Sequence, residues 1–333
     1  AAWKLASTLQ QELQDLEEVL RKQHPYVAGN EFTPKRNNST SGYIEGASFT
    51  RLKELNPTSR DHIAWILQTY YGWNPKQKTT TGKPVIDEVI LTEIGSEIST
   101  MFARCLTVTK MLGMLSNGVN AWLKLSTEDR IHHHCSVATS THRCAHRKPN
   151  LAQVPSDAEF RQLFTATPGQ VMVGADLSGI ELRMLAHYLA KFDGGKYADI
   201  LLNGDIHQTN ADKIGITRRQ VTPVTYALLY GAGDEKMGHS YDPQLTSARS
   251  KKKGKEIRAA YVDAVEGLSD LLEAIQKAAE RGYVKSIDGR VIALDSSHKA
   301  LNYLLQSGAG VVAKRWMVIN HDTIKETNLC ASQ

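Results

Sequence analysis

Leucines recur at helical spacing at the start of the chain: Leu5, Leu9, Leu13, Leu16 and Leu20 stand among charged neighbours over residues 3–22. That pattern predicts an amphipathic helix with one face to bury. A polar stretch rich in Gly, Asn and Ser follows over roughly residues 28–48. In NPTSRDHIAWIL, Pro57 and Ser59 precede an apolar-periodic run and mark another helix start. Residues 96–124 are helical in period again. From about residue 131 the pattern changes to short β-like runs and turns, ending in VMVGADL at 171–177, an apolar run that predicts a buried strand. Helical periodicity returns from Gly179 to Phe192 and over most of 206–281. KSIDGRVIAL predicts a hairpin about Asp288-Gly289, and residues 298–324 a single long helix. No internal repeat or low-complexity tract interrupts this order.

Composition is that of a globular chain: 333 residues, 41% hydrophobic and 23% charged, enough for two or three subdomains. The net charge of +5 suits a polyanionic partner without resembling a nucleic-acid tail. No stretch approaches the roughly 20 apolar residues that a membrane span needs. The cysteines at 105, 135, 144 and 330 are irregularly spaced and too few for a disulfide framework, as in a reducing compartment. The chain opens on Ala1 inside a helical pattern and stops at ETNLCASQ without a capping signal, which predicts a segment of a longer protein.

Asp176 ends the apolar run and Glu181 stands five residues on, after the small residues Ser178 and Gly179 that admit a close backbone or ligand. Two carboxylates so placed are metal-ligand candidates; equally, they read as a cap and a helix-start Glu favoured by the macrodipole. Further on, Arg218, Thr222, Tyr226 and Tyr230 are four residues apart and line one side of a helix.

GADLSGIELRMLAH (174–187), NGDIHQTNADKIG (203–215) and TRRQVTPVTYALLYGAG (217–233), in this order and spacing, resemble the motifs of the A-family DNA polymerases. THRCAHRKPNLAQVPS upstream and DGRVIALDSSHKALNYLLQSGAG downstream extend the likeness, within that family, to the polymerases of T-seven-like podophages, including marine cyanophages. The resemblance implies a helix-rich α+β, right-hand fold with an incomplete antiparallel palm sheet. Its parts would be a thumb over 1–124, a first palm part with the catalytic Asp over 125–188, fingers over 189–297, and a truncated second palm part over 298–333.

It also implies roles. Asp176 would be one catalytic carboxylate of a two-Mg²⁺ site, beside the carbonyl of Leu177, with Ser178 and Gly179 lining the nucleotide pocket. Glu181 would act with Tyr226 as the steric gate that selects deoxynucleotides, and the tyrosine implies easy incorporation of dideoxynucleotides. Arg218 and His207 would hold the incoming triphosphate. Tyr230 and Gly231 would close the insertion site beside the template. Arg143, Arg290, His298, Asn302 and Gln306 would touch primer or template; Asn302 and Gln306, one helical turn apart, would face the same groove and check shape without reading sequence. The partners implied are primer–template DNA and dNTPs, in the cytoplasm of an infected bacterial host, without a membrane.

Three departures accompany the likeness. The family's last motif, a His-Asp-Glu turn between strands, is absent: His321-Asp322 is followed by Thr323 inside a helical pattern. Without that Asp the metals lose a shared ligand, and these residues alone are expected to be inactive. Thr222 stands where the family has a lysine that pairs with the triphosphate, and losing one such contact typically costs on the order of 10²–10³ in rate. The segment between the first helix and NPTSRDH spans only about thirty residues, too short for the insertion that binds thioredoxin in the T-seven-like enzyme. Two readings compete. One is a polymerase-derived nucleic-acid-binding protein that has lost its chemistry. The other is a zinc module built on IHHHCSVATSTHRCAH (131–146), whose spacing matches no standard site. The basic run RSKKKGKEIR (249–258) reads as a solvated helix face with weak DNA contact as the alternative.

Overall fold

The computed structural model describes residues 1–79 and 81–327. Cys330 and the end of the 298–333 segment lie outside the described residues. The chain divides into two compact units, Ala1–His134 with Lys148–Thr165, and Cys135–Arg147 with Ala166–Gln333.

In the first unit, helix α1 (Ala2–Gln23) buries Leu9, Leu13 and Leu20, the face its periodicity predicts. The polar stretch after it is the long connection of a hairpin, β1 (Tyr26–Phe32) pairing antiparallel with β2 (Phe49–Glu54). Helix α2 (Arg60–Tyr71) starts at Ser59 and ends on Gly72 in the left-handed conformation, which glycine adopts without a Cβ penalty. Helices α3 (Glu88–Ile94) and α4 (Glu97–Leu112) follow, the second opened by a capping box of Ser96 and Ser99. A π-turn at Gly113–Asn117, the short α5 (Trp122–Leu125), the strand pair β3 (Ser126–Thr127) and β4 (Arg130–Ile131), and α6 (Ala158–Arg161) complete the unit. Its core includes Leu20, Ile63, Leu67, Phe102, Leu112 and Phe160.

The second unit takes in all but the first residue of strand β5 (His134–Ser136) and its partner β6 (Ala145–Arg147). Its body is helical: α7 (Ile180–Asp193), α8 (Lys196–Asn203), α9 (Ile206–Ile214), α10 (Arg218–Leu229), α11 (Asp234–Tyr241), α12 (Ser247–Ala264) and α13 (Leu268–Ala279). The hairpin predicted about Asp288-Gly289 is present as β7 (Tyr283–Lys285) and β8 (Val291–Ala293), joined antiparallel, and α14 (Ala300–Glu326) is the long helix that follows. Leu185, Leu189, Val221, Val224, Tyr261 and Leu305 are among its core residues. Helices α11 and α12 pack backbone to backbone. A Cβ on Gly254 would stand 1.8 Å from the Asp234 carbonyl oxygen, and one on Gly238 2.0 Å from that of Ser250.

One sequence expectation fails. VMVGADL forms no strand; Val171 and Val173 are 84% and 86% exposed. An apolar run becomes a buried strand only when a neighbour completes its hydrogen-bond ladder and covers its faces. No other strand among the described residues pairs with it. The fold is nonetheless helix-rich α+β, with small antiparallel sheets, as expected.

Candidate functional site

Helix α10 is built to present a polar face. Its start is fixed by a capping box, in which Thr217 Oγ1 accepts from the Gln220 amide and the Gln220 side chain closes on the Thr217 amide. Val221, Val224 and Leu228 anchor the opposite face in the core. Behind them Thr225 Oγ1 lies 3.0 Å from the Tyr261 hydroxyl, to which Asn210 Nδ2 also donates at 3.1 Å. All three residues are buried, so this small network ties α9, α10 and α12 together with its polar groups satisfied.

The outward residues converge. Tyr226 and Tyr230 are stacked, with ring centroids 6.3 Å apart and planes inclined by 22°. The His207 imidazole lies 6.3 Å from the Tyr226 ring. Glu181, on the first turn of α7, accepts from Arg143 Nη2 at 2.9 Å, and both charges act on the Tyr230 phenol. Asn302 Nδ2, from α14, donates to the Tyr230 carbonyl at 3.0 Å. Gly231, at φ 66°, sits so close to the His298 carbonyl that a Cβ would meet that oxygen at 3.3 Å. Gln306 accepts from Thr141 Oγ1 at 3.3 Å. Thus α7, α10, α14 and the β5–β6 connection meet around the two tyrosines.

Electrostatics differentiate the members. Burial and the Arg218 charge lower the His207 pKa, so at neutral pH the imidazole is an uncharged donor or acceptor instead of a cation. Among the described residues its buried Nδ1 has no hydrogen-bond partner, a polar atom still owed an interaction. Burial and the Glu181 carboxylate raise the Tyr230 phenol, which stays protonated. The Gln208 amide and then the Arg218 guanidinium hold Asp205 below the usual carboxylate range. The Arg218 side chain is engaged by that pair, with Nε 2.7 Å from Asp205 Oδ2.

Other sequence-assigned residues are less gathered. The Thr222 hydroxyl donates back to the Arg218 carbonyl at 3.1 Å, within its own helix. Arg290 pairs with Asp288 in the β7–β8 turn, and the His298 ring bonds Ser296 Oγ at 2.7 Å. Asp176, Leu177 and Ser178 lead into α7 through Gly179, which adopts the left-handed conformation at φ 58°. Asp176 is exposed and makes no hydrogen bond or ion pair among the described residues. As a divalent-cation site, this segment offers hard oxygen donors of the right chemistry, the Asp176 carboxylate and the Leu177 carbonyl. No three His, Cys, Asp or Glu side chains converge among the described residues, and Glu181 is committed to Arg143. The donors present do not by themselves fit a two-metal centre. The same holds for zinc in the 131–146 stretch: among the described residues no three potential ligands converge there.

Sequence reasoning passed over Asp205, Asn210, Thr225 and Tyr261. Asp205 carries a readable signal, since an Asp directly before an apolar helix start is an N-cap. Its carboxylate accepts from the Gln208 amide at 3.0 Å while it pairs with Arg218. The buried trio has no local signature, because its members meet only through packing.

The comparisons with known proteins agree with one another. The model of DNA polymerase family A matches residues 33–333. The DNA-directed DNA polymerase of Escherichia phage T7 is 34% identical over 87% of this chain and 46% of its own length, and that of Enterobacteria phage T3 has the same identity and coverage. The chain spans about half the length of these curated relatives. A solved structure of the POL domain of Pol1 from M. smegmatis, in complex with DNA primer-template and dNTP, superposes with a TM-score of 0.70. It is 21% identical, and the match covers 99% of this chain and 57% of that one.

Proposed function

We propose, from the premise that this chain belongs to DNA polymerase family A, that the protein carrying it adds deoxynucleotides to a primer 3′ end on a DNA template during phage replication in the host cytoplasm. In this reading residues 1–124 serve as thumb, 125–188 as the first part of the palm, 189–297 as fingers and 298–333 as the start of the second palm part. The observation that carries the proposal is the convergence around Tyr226 and Tyr230 of Arg143, Glu181, His207 and Asn302.

Each member has work that fits this reading. The stacked phenols offer π-faces of the size of a nucleobase, and stacking is tolerant of base identity. Glu181, held by Arg143 at 2.9 Å, would act with Tyr226 to exclude a ribose 2′-hydroxyl. Arg218 brings a guanidinium fork toward phosphates, and His207 a neutral imidazole whose buried Nδ1 lacks a partner among the described residues. Asn302 and Gln306 bring amides to the side where a primer–template would lie. Asp176 and the Leu177 carbonyl are the donors that would hold Mg²⁺, an ion that would supply charge neutralisation on the phosphates. The remaining ligands must come from groups outside the described residues or from the substrates.

A second reading, a primer–template-binding protein without synthesis, is favoured by Thr222, whose hydroxyl is neutral and turned into its own helix. Primer extension by the protein carrying this chain separates the two. Elongated product that vanishes in Asp176→Ala, with primer–template affinity kept, supports synthesis. Tight primer–template binding without elongation supports the second reading, and absence of both overturns the proposal.

A further inference from the structure

Helix α10 carries a second arginine whose direction differs from that of Arg218. At 3.6 residues per turn, Arg218 lies about 80° from Tyr226 and about 120° from Tyr230 around the axis, whereas Arg219 lies within about 20° of both. The helix runs through Pro223 as one element. The cations also differ in commitment. Arg218 is paired with Asp205, while Arg219 is exposed and has no ion pair among the described residues. Between them and the tyrosines stands Thr222, its hydroxyl turned back onto the Arg218 carbonyl. The charge facing the Tyr226–Tyr230 side of this helix is therefore that of Arg219.

We infer that Arg219 is a triphosphate-binding residue of this site, supplying the positive charge that position 222 lacks. The inference rests on the nucleotide-binding reading proposed above and adds to it one specific contact. An exposed guanidinium at the first turn of a helix adds to the helix's own N-terminal partial charge, and an anion bound there is favoured by both. The planar fork suits phosphate oxygens, three residues before Thr222 and seven before Tyr226. Unlike an ammonium, a guanidinium does not donate its proton at neutral pH, so Arg219 stabilises phosphate charge without acting as an acid.

The test is equilibrium binding of Mg·dTTP to this chain at low ionic strength, followed calorimetrically for Arg219→Ala, Arg219→Lys, Arg218→Ala, Thr222→Lys and the double variant Arg219→Ala/Thr222→Lys. Arg219→Ala is expected to weaken binding about tenfold or more, the scale of one lost charged hydrogen bond. Arg219→Lys should keep most of the affinity, and Thr222→Lys should restore it in the Arg219→Ala background. Lys251→Ala, an exposed cation on α12, controls for net charge and should change nothing. Because Arg219 is exposed, its variants should melt as the wild type does. Unchanged affinity in Arg219→Ala, with Arg218→Ala weakened, would overturn the inference and leave the nucleotide-binding reading standing. Failure of the wild-type chain to bind Mg·dTTP at all would overturn both.

Discussion

At the scale of single residues, the site separates groups by what holds them. Glu181 is set by Arg143 rather than left to solvent, its side chain only 13% exposed. If it excludes a 2′-hydroxyl, Glu181→Ala should raise the affinity of a ternary complex for UTP relative to dTTP by about tenfold or more, the usual scale of steric discrimination against one small group. Competition between the two nucleotides measures this. His207 gives a pH prediction of definite sign. Its folded pKa lies below the ordinary 6.5 because burial, then Arg218, disfavours the imidazolium. Folding stability from this group is therefore complete above 6.5 and declines as pH falls from 6.5 toward the folded value. A bound triphosphate reverses the preference by adding negative charge beside the ring, so binding takes up a proton. The affinity for dTTP, expressed relative to His207→Ala, should rise as pH falls from about 8 to about 6. A wild-type and variant profile of the same shape would remove His207 from the phosphate contacts.

At the scale of elements, the close approach of α11 and α12 makes Gly254 a packing residue. A methyl group there would collide with the Asp234 carbonyl, and backbone must move to admit it. Gly254→Ala is expected to cost about 1–3 kcal/mol or more in urea unfolding, as overpacking does, despite the better helix propensity of alanine. Tyr261→Phe should cost about 1–3 kcal/mol, because it leaves the buried Asn210 and Thr225 groups without their shared partner. These elements also show how far the sequence could be read. Helices α1 and α14 were legible because each repeats apolar residues at the helical period, and α10 because Arg218, Thr222, Tyr226 and Tyr230 recur every four residues. The run at 171–177 was not, since burial of a strand depends on partners elsewhere in the chain and not on its own composition. Arg218 was legible as a cation on the tyrosine stripe. Its capture by Asp205, thirteen residues earlier, depends on how α9 meets α10.

At the scale of the whole molecule, every residue assigned to nucleotide or DNA lies in the second compact unit, including Arg143, which enters it through the segment Cys135–Arg147. The net charge of +5 gives the chain the sign needed for DNA. Primer–template affinity should accordingly fall linearly in log–log form with salt, by about 0.9 for each phosphate neutralised in duplex DNA. Lys251→Gln and Lys252→Gln together should leave that slope unchanged if the α12 face is merely solvated, as its composition suggests. The central claim is that this unit selects a deoxynucleotide against a template base. Its most direct measurement is competitive retention of dTTP, dCTP and UTP by the chain bound to a dideoxy-terminated primer–template whose next template base is adenine. The account predicts that dTTP is retained over both competitors and that Tyr226→Ala abolishes the preference. Equal retention of all three, or retention of none, would contradict it.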